Sequence, residues 1–405
     1  MRLSSTPEIA RRGLKLLFIS PVFPLPLDRG QHVRVYNLLL ACSSNFEVTF
    51  VCPPPDVLSQ DEHYETLLQQ GVAFRFTGAS PRASSTKNMI AASWAARELM
   101  PLGRLAALAP YRAVIDTLEL DDYAICFVER GHLTPLAAGM YNRTIVDLDD
   151  LEHVRLLREM KLQSSAARNL RSLPRLMRLF LRETVGLRRF RAAIVCSEAD
   201  KDRVAALGGR RLFVVPNGAT VPPAPAFTVQ PTRDAVFLGN CQYPPNRQAL
   251  ELLRSNIIPD LKTTHPDFVV DVIGPHSDSA EFKGQGLNGR GFVDDLPAEL
   301  RRYKVLVAPL HLGGGTKLKI LDAMAAGLPV ITTSVGAEGL ELTHDVHALI
   351  ADDPIDFAKE VRRALADDDL RARISANARK HVETSLSWDH IRSEFSQVLE
   401  NQLQF

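Results

Sequence analysis

The chain has 405 residues, 45% of them hydrophobic and 23% charged, with 48 Lys and Arg against 47 Asp and Glu. That length holds two or three domains and a sizeable core, and the near-balanced charge gives no reason to invoke nucleic acid as a partner. The five cysteines, Cys42, Cys52, Cys126, Cys196 and Cys241, stand singly with no CxxC or Cys/His cluster, which argues against a zinc site or a disulfide scaffold and for buried thiols in a reducing compartment. The early apolar run LKLLFIS includes Lys15 and is too short to span a bilayer, and no run of about 18 apolar residues follows it. A cytosolic protein is expected, with membrane contact only at a surface.

In chain order, LKLLFIS (14–20) predicts a buried strand, PVFPLPLDRG a loop, 31–43 a helix and EVTFVC (47–52) a second strand. FRFT (74–77), AICFVE (124–129), TIVDLD (144–149), AAIVCS (192–197) and LFVVP (212–216) continue the series, separated by helical patterns. Strands alternating with helices call for a parallel sheet covered on both faces. A Pro-rich polar stretch, VVPNGATVPPAPAFTVQPTRD (214–234), reads as a linker. The rhythm then resumes with AVFLG (235–239), FVVDVIG (268–274), RGFV (290–293), VLVAP (305–309), LPVITT (328–333) and HALIA (347–351). The expected fold class is α/β: two Rossmann-like doubly wound domains, 1–216 and 217–385, facing across a cleft. The closing amphipathic segment SWDHIRSEFSQVLENQ (387–402) predicts a helix, about 386–405, packed back on the first domain.

One stretch carries chemistry: LHLGGGTKLKILDAMAAGLPV, 310–330. Its glycines fall at the carboxyl end of the strand VLVAP and the amino end of a helix predicted over 316–326. Open α/β sheets bind ligands at that position. Gly313, Gly314 and Gly315 let a phosphate approach free backbone N–H groups at the positive end of the helix dipole. Lysines in a first helical turn oppose that dipole by about 0.3–1 kcal/mol each, so Lys317 and Lys319 make most sense beside a bound anion. Asp322 lies two turns from the glycines with its side chain leaning back towards them, where a carboxylate can accept hydrogen bonds from ribose hydroxyls. The bland alternative is a structural glycine turn with Lys319 and Asp322 as a surface pair. The spacing is neither a Walker loop nor a GxGxxG fingerprint.

With these residues in view, the chain resembles the retaining glycosyltransferases of the GT-B fold, and among them glycosyltransferase family four. ISPVFPLPLDRGQHVRVYNLLLA resembles the family's first strand, glycine loop and first helix, and VVPNG (214–218) its domain crossover. FLGNCQYPPNRQALELL (237–253) is similar to the opening of the donor domain, RGFVDDLPAELRRYKVLVAPLHLGGGTKLKILDAMAAGLPVITTSVGAEGL (290–340) to its centre, and SLSWDHI (385–391) to the closing Trp helix. The resemblance implies a donor diphosphate and sugar on the backbone of Gly313, Gly314, Gly315 and Thr316, with Lys317 or Lys319 near the phosphates. Asp322 takes the ribose-binding acidic position, the base lies by Phe292 and Val293, and Gly239 with Asn246 and Arg247 belong to the donor side. The Gly30 loop would cover the phosphates from the other domain. Two departures stand out. Many members carry a second acid where this chain has Gly314, and a basic Arg/Lys pair where it has Asn240 and Asn246, so the charge on the phosphates falls to Lys317, Lys319, Arg247 or Arg29.

The resemblance further implies front-face transfer with retention at the anomeric carbon, in which positioning and stabilisation of the departing diphosphate do the work, with no metal and no cofactor beyond the nucleotide sugar. On the acceptor side, His132 and Asp149, near strand ends in VERGH and DLDD, are candidate catalytic residues, with Glu129 and Arg130 beside them. The competing reading of Asp147, Asp149 and Asp150 is as surface carboxylates. Between 155 and 191 there are eleven Lys or Arg and two Glu, interleaved with Leu, Met and Phe, a pattern that fits either an anionic membrane surface or a solvated helical face. Expected partners are therefore a nucleotide-sugar donor, a glycan or lipid-linked acceptor and an anionic membrane. The expected place is the cytoplasm, including the inner face of the cell membrane, and the expected role is bacterial surface polysaccharide or glycoconjugate synthesis. Other readings are a GT-B sugar-nucleotide 2-epimerase and a sugar-nucleotide-binding protein without turnover.

Overall fold

The computed structural model describes residues 13–55, 62–78, 107–162, 166–209, 211–223 and 231–403. Residues 224–230, in the middle of the expected linker, lie outside them. The chain divides into two compact units, Met1–Val215 with Arg392–Phe405, and Pro216–Ile391.

The first unit is built on strands β1 (Lys15–Ile19), β2 (Glu47–Cys52), β3 (Ala73–Phe76), β4 (Tyr123–Glu129), β5 (Thr144–Asp147), β6 (Ala192–Val195) and β7 (Leu212–Val214). They form one parallel sheet in the order β3-β2-β1-β4-β5-β6-β7. Strands covered on both faces need continuous apolar runs: Leu16, Leu17, Phe18 and Ile19 are at most 1% exposed. Chain order reverses between β1 and β4, and that reversal opens a crevice at their carboxyl ends.

The second unit repeats the plan with β8 (Arg233–Leu238), β9 (Val270–Ile273), β10 (Lys283–Gly284), β11 (Leu287–Gly291), β12 (Tyr303–Ala308), β13 (Val330–Thr332) and β14 (Leu349–Ile350), ordered β10-β11-β9-β8-β12-β13-β14. Here the reversal lies between β8 and β12. The last helix, Trp388–Leu403, starts in the second unit and ends in the first. Within the first unit Phe395 meets Phe127 edge-on at 5.5 Å, and the Arg392 guanidinium donates to the Asn37 side-chain oxygen at 2.7 Å.

Two local readings differ from the sequence. The strand expected over 290–293 ends at Gly291, because the backbone shifts register between Gly289 and Gly291; Phe292 and Val293 therefore sit in a loop. β10 pairs antiparallel with β11 through a two-residue turn at Gln285 and Gly286, both at positive φ, a hairpin too short to leave an alternating pattern.

Candidate functional site

In the second unit the chain leaves β8 through Gly239 and leaves β12 into the glycine loop, and these two exits flank the point of strand reversal. The helix expected from 316 starts at Leu318, with Lys317 at its N-cap (φ −93°, ψ 90°). Helical dihedrals are delayed because Gly313 and Gly315 take positive φ, +113° and +57°, and because Thr316 is held outside the helix by the Asn217 amide, which donates to its hydroxyl oxygen at 2.7 Å. Among the described residues the N–H groups of Gly314, Gly315 and Thr316 donate to no protein acceptor. The Lys317 ammonium donates instead to the carbonyls of Gly314 (3.1 Å) and Gly315 (2.5 Å). A loop whose carbonyls are taken by a lysine and whose N–H groups are spare is an acceptor of anions.

Lys319 projects from the second position of the same helix. Its ammonium donates to the Asn246 side-chain oxygen at 2.6 Å and lies 4.3 Å from the centre of the Phe237 ring. The Asn246 amide nitrogen in turn donates to the Asn240 carbonyl at 2.8 Å, which ties the β8 exit to the β12 helix. Both exits crowd Gly239 (φ +144°): a Cβ there would stand 2.5 Å from Asn246 Nδ2 and 2.9 Å from Lys319 Nζ. No carboxylate pairs with Lys319 among the described residues, and burial, helped by repulsion from Lys317, pulls its pKa down to about 7. Asp322, half-buried one turn further on, has no hydrogen-bond partner among the described residues, and burial pushes its carboxyl up to about 7. A cation and a carboxylate, each desolvated and each short of a partner, are both stabilised by a ligand that brings an anion and hydroxyls.

The other donor-side candidates fall around this point. Phe292 is 65% exposed in the loop after β11, while Val293 packs on the core. Arg247 pairs at 2.5 Å with Glu281 on the exposed surface. Gly30 is exposed at the start of helix Gly30–Ser43 in the first unit.

In the first unit the reversal point between β1 and β4 holds a buried network of charges. Ser20, just past β1, donates to Glu129 at the end of β4 (3.1 Å), and the Gln31 amide donates to the same carboxylate at 2.9 Å. Burial pushes Glu129 up to about 7. Arg34, 0% exposed, grips Asp147 with two bonds of 2.8 Å and donates to the Val215 carbonyl at 3.1 Å. Arg130 spans Glu129 (3.1 Å) and Asp149 (2.6 Å) from a left-handed backbone, φ +72°; strain of that kind persists where surrounding bonds fix the residue. The Asp149 N–H donates to Asp147 at 3.0 Å, and the Cys196 thiol reaches Asp149 at 3.5 Å. The surface reading of Asp147 and Asp149 therefore fails: they are 0% and 9% exposed. His132 is half-buried in the short 3-10 stretch Gly131–Ala137 that follows β4.

Sequence reasoning missed Arg34, Gln31, Ser20 and Asn217. Arg34 was legible in part: it shares a helix face with Leu38 and Cys42, and an arginine on a buried face needs a carboxylate. Among the described residues no three His, Cys, Asp or Glu converge as a metal site, and no helix is long and apolar enough to cross a membrane.

Residues 232–367, which contain the glycine loop, match the family of glycosyl transferases group 1. YtcC of Bacillus subtilis is 39% identical over 114 residues, covering 27% of this chain and 28% of its own length. D-inositol 3-phosphate glycosyltransferase of Salinispora arenicola is 33% identical over 107 residues, covering 26% and 23%. The chain thus spans about a quarter of the length of these curated relatives. Among solved structures, sucrose-phosphate synthase from Thermosynechococcus elongatus superposes with a TM-score of 0.70 at 16% identity, covering 96% of this chain and 98% of that one. WaaG, a glycosyltransferase involved in lipopolysaccharide biosynthesis, gives 0.64 at 12% identity over 95% and 99%. Anabaena HepE in complex with UDP and glucose gives 0.62 at 16% identity over 96% and 99%. The shared feature at these identities is the fold, and the fold is GT-B: two Rossmann-like α/β domains with parallel sheets.

Proposed function

We propose that the chain is a retaining glycosyltransferase that moves a sugar from a nucleoside diphosphate sugar to a glycan or lipid-linked acceptor, in bacterial surface polysaccharide or glycoconjugate synthesis at the cytoplasmic face of a membrane. The observation that carries the reading is the second unit's reversal point, where spare N–H groups of Gly314, Gly315 and Thr316 and the Lys319 ammonium lie at the two loop exits, with the Asp322 carboxylate one turn further along the helix. The group 1 match over residues 232–367 covers all of these residues, and the HepE structure with UDP and glucose has the same fold. In the reaction, the bond from the anomeric carbon to the diphosphate breaks and a bond to the acceptor oxygen forms on the same face, while the acceptor hydroxyl proton leaves on a diphosphate oxygen. The loop and Lys319 stabilise the departing negative charge, Asp322 holds the ribose, and Phe292 with Val293 borders the base. No metal enters this scheme. In the first unit His132 and the Asp149 network face the acceptor chemistry, with Asp149 acting chiefly to hold Arg130.

Calorimetric titration with UDP, GDP and ADP, on the wild type and on Asp322→Ala, tests the reading. A hydrogen bond to a charged partner is worth about 1.5–3 kcal/mol, so the variant should bind its nucleotide about 10- to 100-fold more weakly. It should also be the more stable apo protein above pH 7. A carboxyl whose folded pKa is raised costs the fold once it ionises, a penalty absent near pH 4 and complete above about pH 7. Unchanged affinity would remove the ribose role, and absence of binding to all three nucleotides would remove the transferase reading. Product analysis with donor alone separates the other two: conversion of the donor's sugar marks an epimerase, and an unaltered donor in the presence of acceptors marks a binding protein.

A further inference from the structure

The helix Ala166–Glu183 has three lengthwise sectors. Its inward sector is anchored by buried Leu179 and by Glu183, whose carboxylate accepts from the N–H groups of Glu152 and His153 and meets the His153 ring at 2.7 Å. A second sector is apolar yet exposed: Leu170, Leu173, Met177 and Leu181 are 68%, 46%, 57% and 37% accessible, and at 3.6 residues per turn they fall within an arc of about 80°. The third sector, beside it, carries Arg171, Arg175 and Arg178, which form no hydrogen bond or ion pair among the described residues. Residues 160–182 contain six Lys or Arg and no acid. Isolated exposed apolar side chains need no explanation, but four in one row along a charged helix do.

We propose that this helix is a docking face for an anionic lipid bilayer, lying in the plane of the membrane with its apolar row at the acyl boundary and its arginines on headgroup phosphates. Charge and apolar row select that occupant together. A second copy of the chain would set arginine against arginine across a two-fold axis, and a soluble polyanion would satisfy the arginines while leaving the leucines and methionine in water. Leu157 and Lys161 on the neighbouring helix Glu152–Leu162 are also exposed and extend the same chemistry. The inference is independent of the transfer reaction, and its test uses no activity.

The full chain is mixed with vesicles of phosphatidylcholine alone or of equimolar phosphatidylglycerol and phosphatidylcholine, and the bound fraction is measured by sedimentation. Binding to the anionic vesicles only, lost at high salt, is expected. At about a fivefold loss per surface charge, Arg171→Gln/Arg175→Gln/Arg178→Gln should cut partitioning about 100-fold. Leu170→Ser/Met177→Ser, with its charge intact and at exposed positions that leave the fold undisturbed, should cut it at least about tenfold. A Met177→Trp probe should shift its emission to the blue on anionic vesicles. The proposal is overturned by absence of binding at low salt, by binding that Leu170→Ser/Met177→Ser does not weaken, which marks a purely electrostatic polyanion surface, or by a dimer that this variant dissolves.

Discussion

In the proposed function, Lys319 makes nucleotide binding a proton-linked event. Its ammonium has three protons and, among the described residues, a single hydrogen-bond acceptor, the Asn246 amide, in a setting that already depresses its pKa to about 7. A diphosphate placed against it favours the charged form and raises that pKa towards its ordinary value of 10.5. Binding must then draw a proton from solution, with a definite sign above pH 7, where Asp322 is already ionised: affinity declines as pH rises. The limiting slope is tenfold per pH unit, which gives about a 50-fold loss of affinity between pH 7 and pH 9. A free nucleotide's terminal phosphate has a pKa near 6 and is about nine-tenths ionised by pH 7, so the slope above 7 belongs chiefly to the protein. Titration calorimetry at pH 8 in two buffers of different ionisation enthalpy should report uptake of about 0.9 proton per nucleotide. Lys319→Met should lose about 10- to 100-fold in affinity at pH 6 and show neither slope nor uptake. Zero uptake at pH 8, together with constant affinity from pH 7 to pH 9, would refute the placement of the diphosphate against this lysine.

Other consequences are structural. Arg34→Met leaves the fully buried Asp147 carboxylate without its bidentate partner, and breaking a buried pair from one side costs about 3–5 kcal/mol; urea unfolding should show it, and Arg34→Met/Asp147→Leu should regain most of the loss. A cost below about 1 kcal/mol would mean that water reaches the carboxylate. Gly239→Ala forces a side chain onto a φ that favours glycine and pushes Asn246 and Lys319 aside, at about 1–3 kcal/mol of stability; circular dichroism should show a retained fold while nucleotide affinity falls at least about tenfold. Full affinity in that variant would show that the two side chains do not touch the ligand.

How far the sequence could be read depended on whether the signal was local. Most strands of both sheets left apolar runs that stand where the sheets are found, β2 and β4 among them, because parallel strands buried on both faces tolerate little else; β10 and β11, at one edge of the second sheet, left none. The glycine loop was visible for the same reason, since a strand exit into a helix leaves a compact signature. What stayed hidden was pairing at a distance. Nothing in QHVRVYN says that its arginine ends on Asp147, 113 residues away, and the asparagines at 240 and 246 read as missing charge until Lys319 is seen against Asn246. The start of the helix after the loop moved by two residues because a contact from Asn217, 99 residues upstream, holds Thr316 out of it.

Lys317 has a less obvious part. Three successive glycines would be among the costliest residues in the chain to immobilise, at about 1–2 kcal/mol of backbone freedom each. By clasping the carbonyls of Gly314 and Gly315, the lysine moves that cost into folding, so it does not recur when an anion binds. The loop works as a mould cast in advance, and the lysine that holds its carbonyls helps to set how tightly an anion binds there.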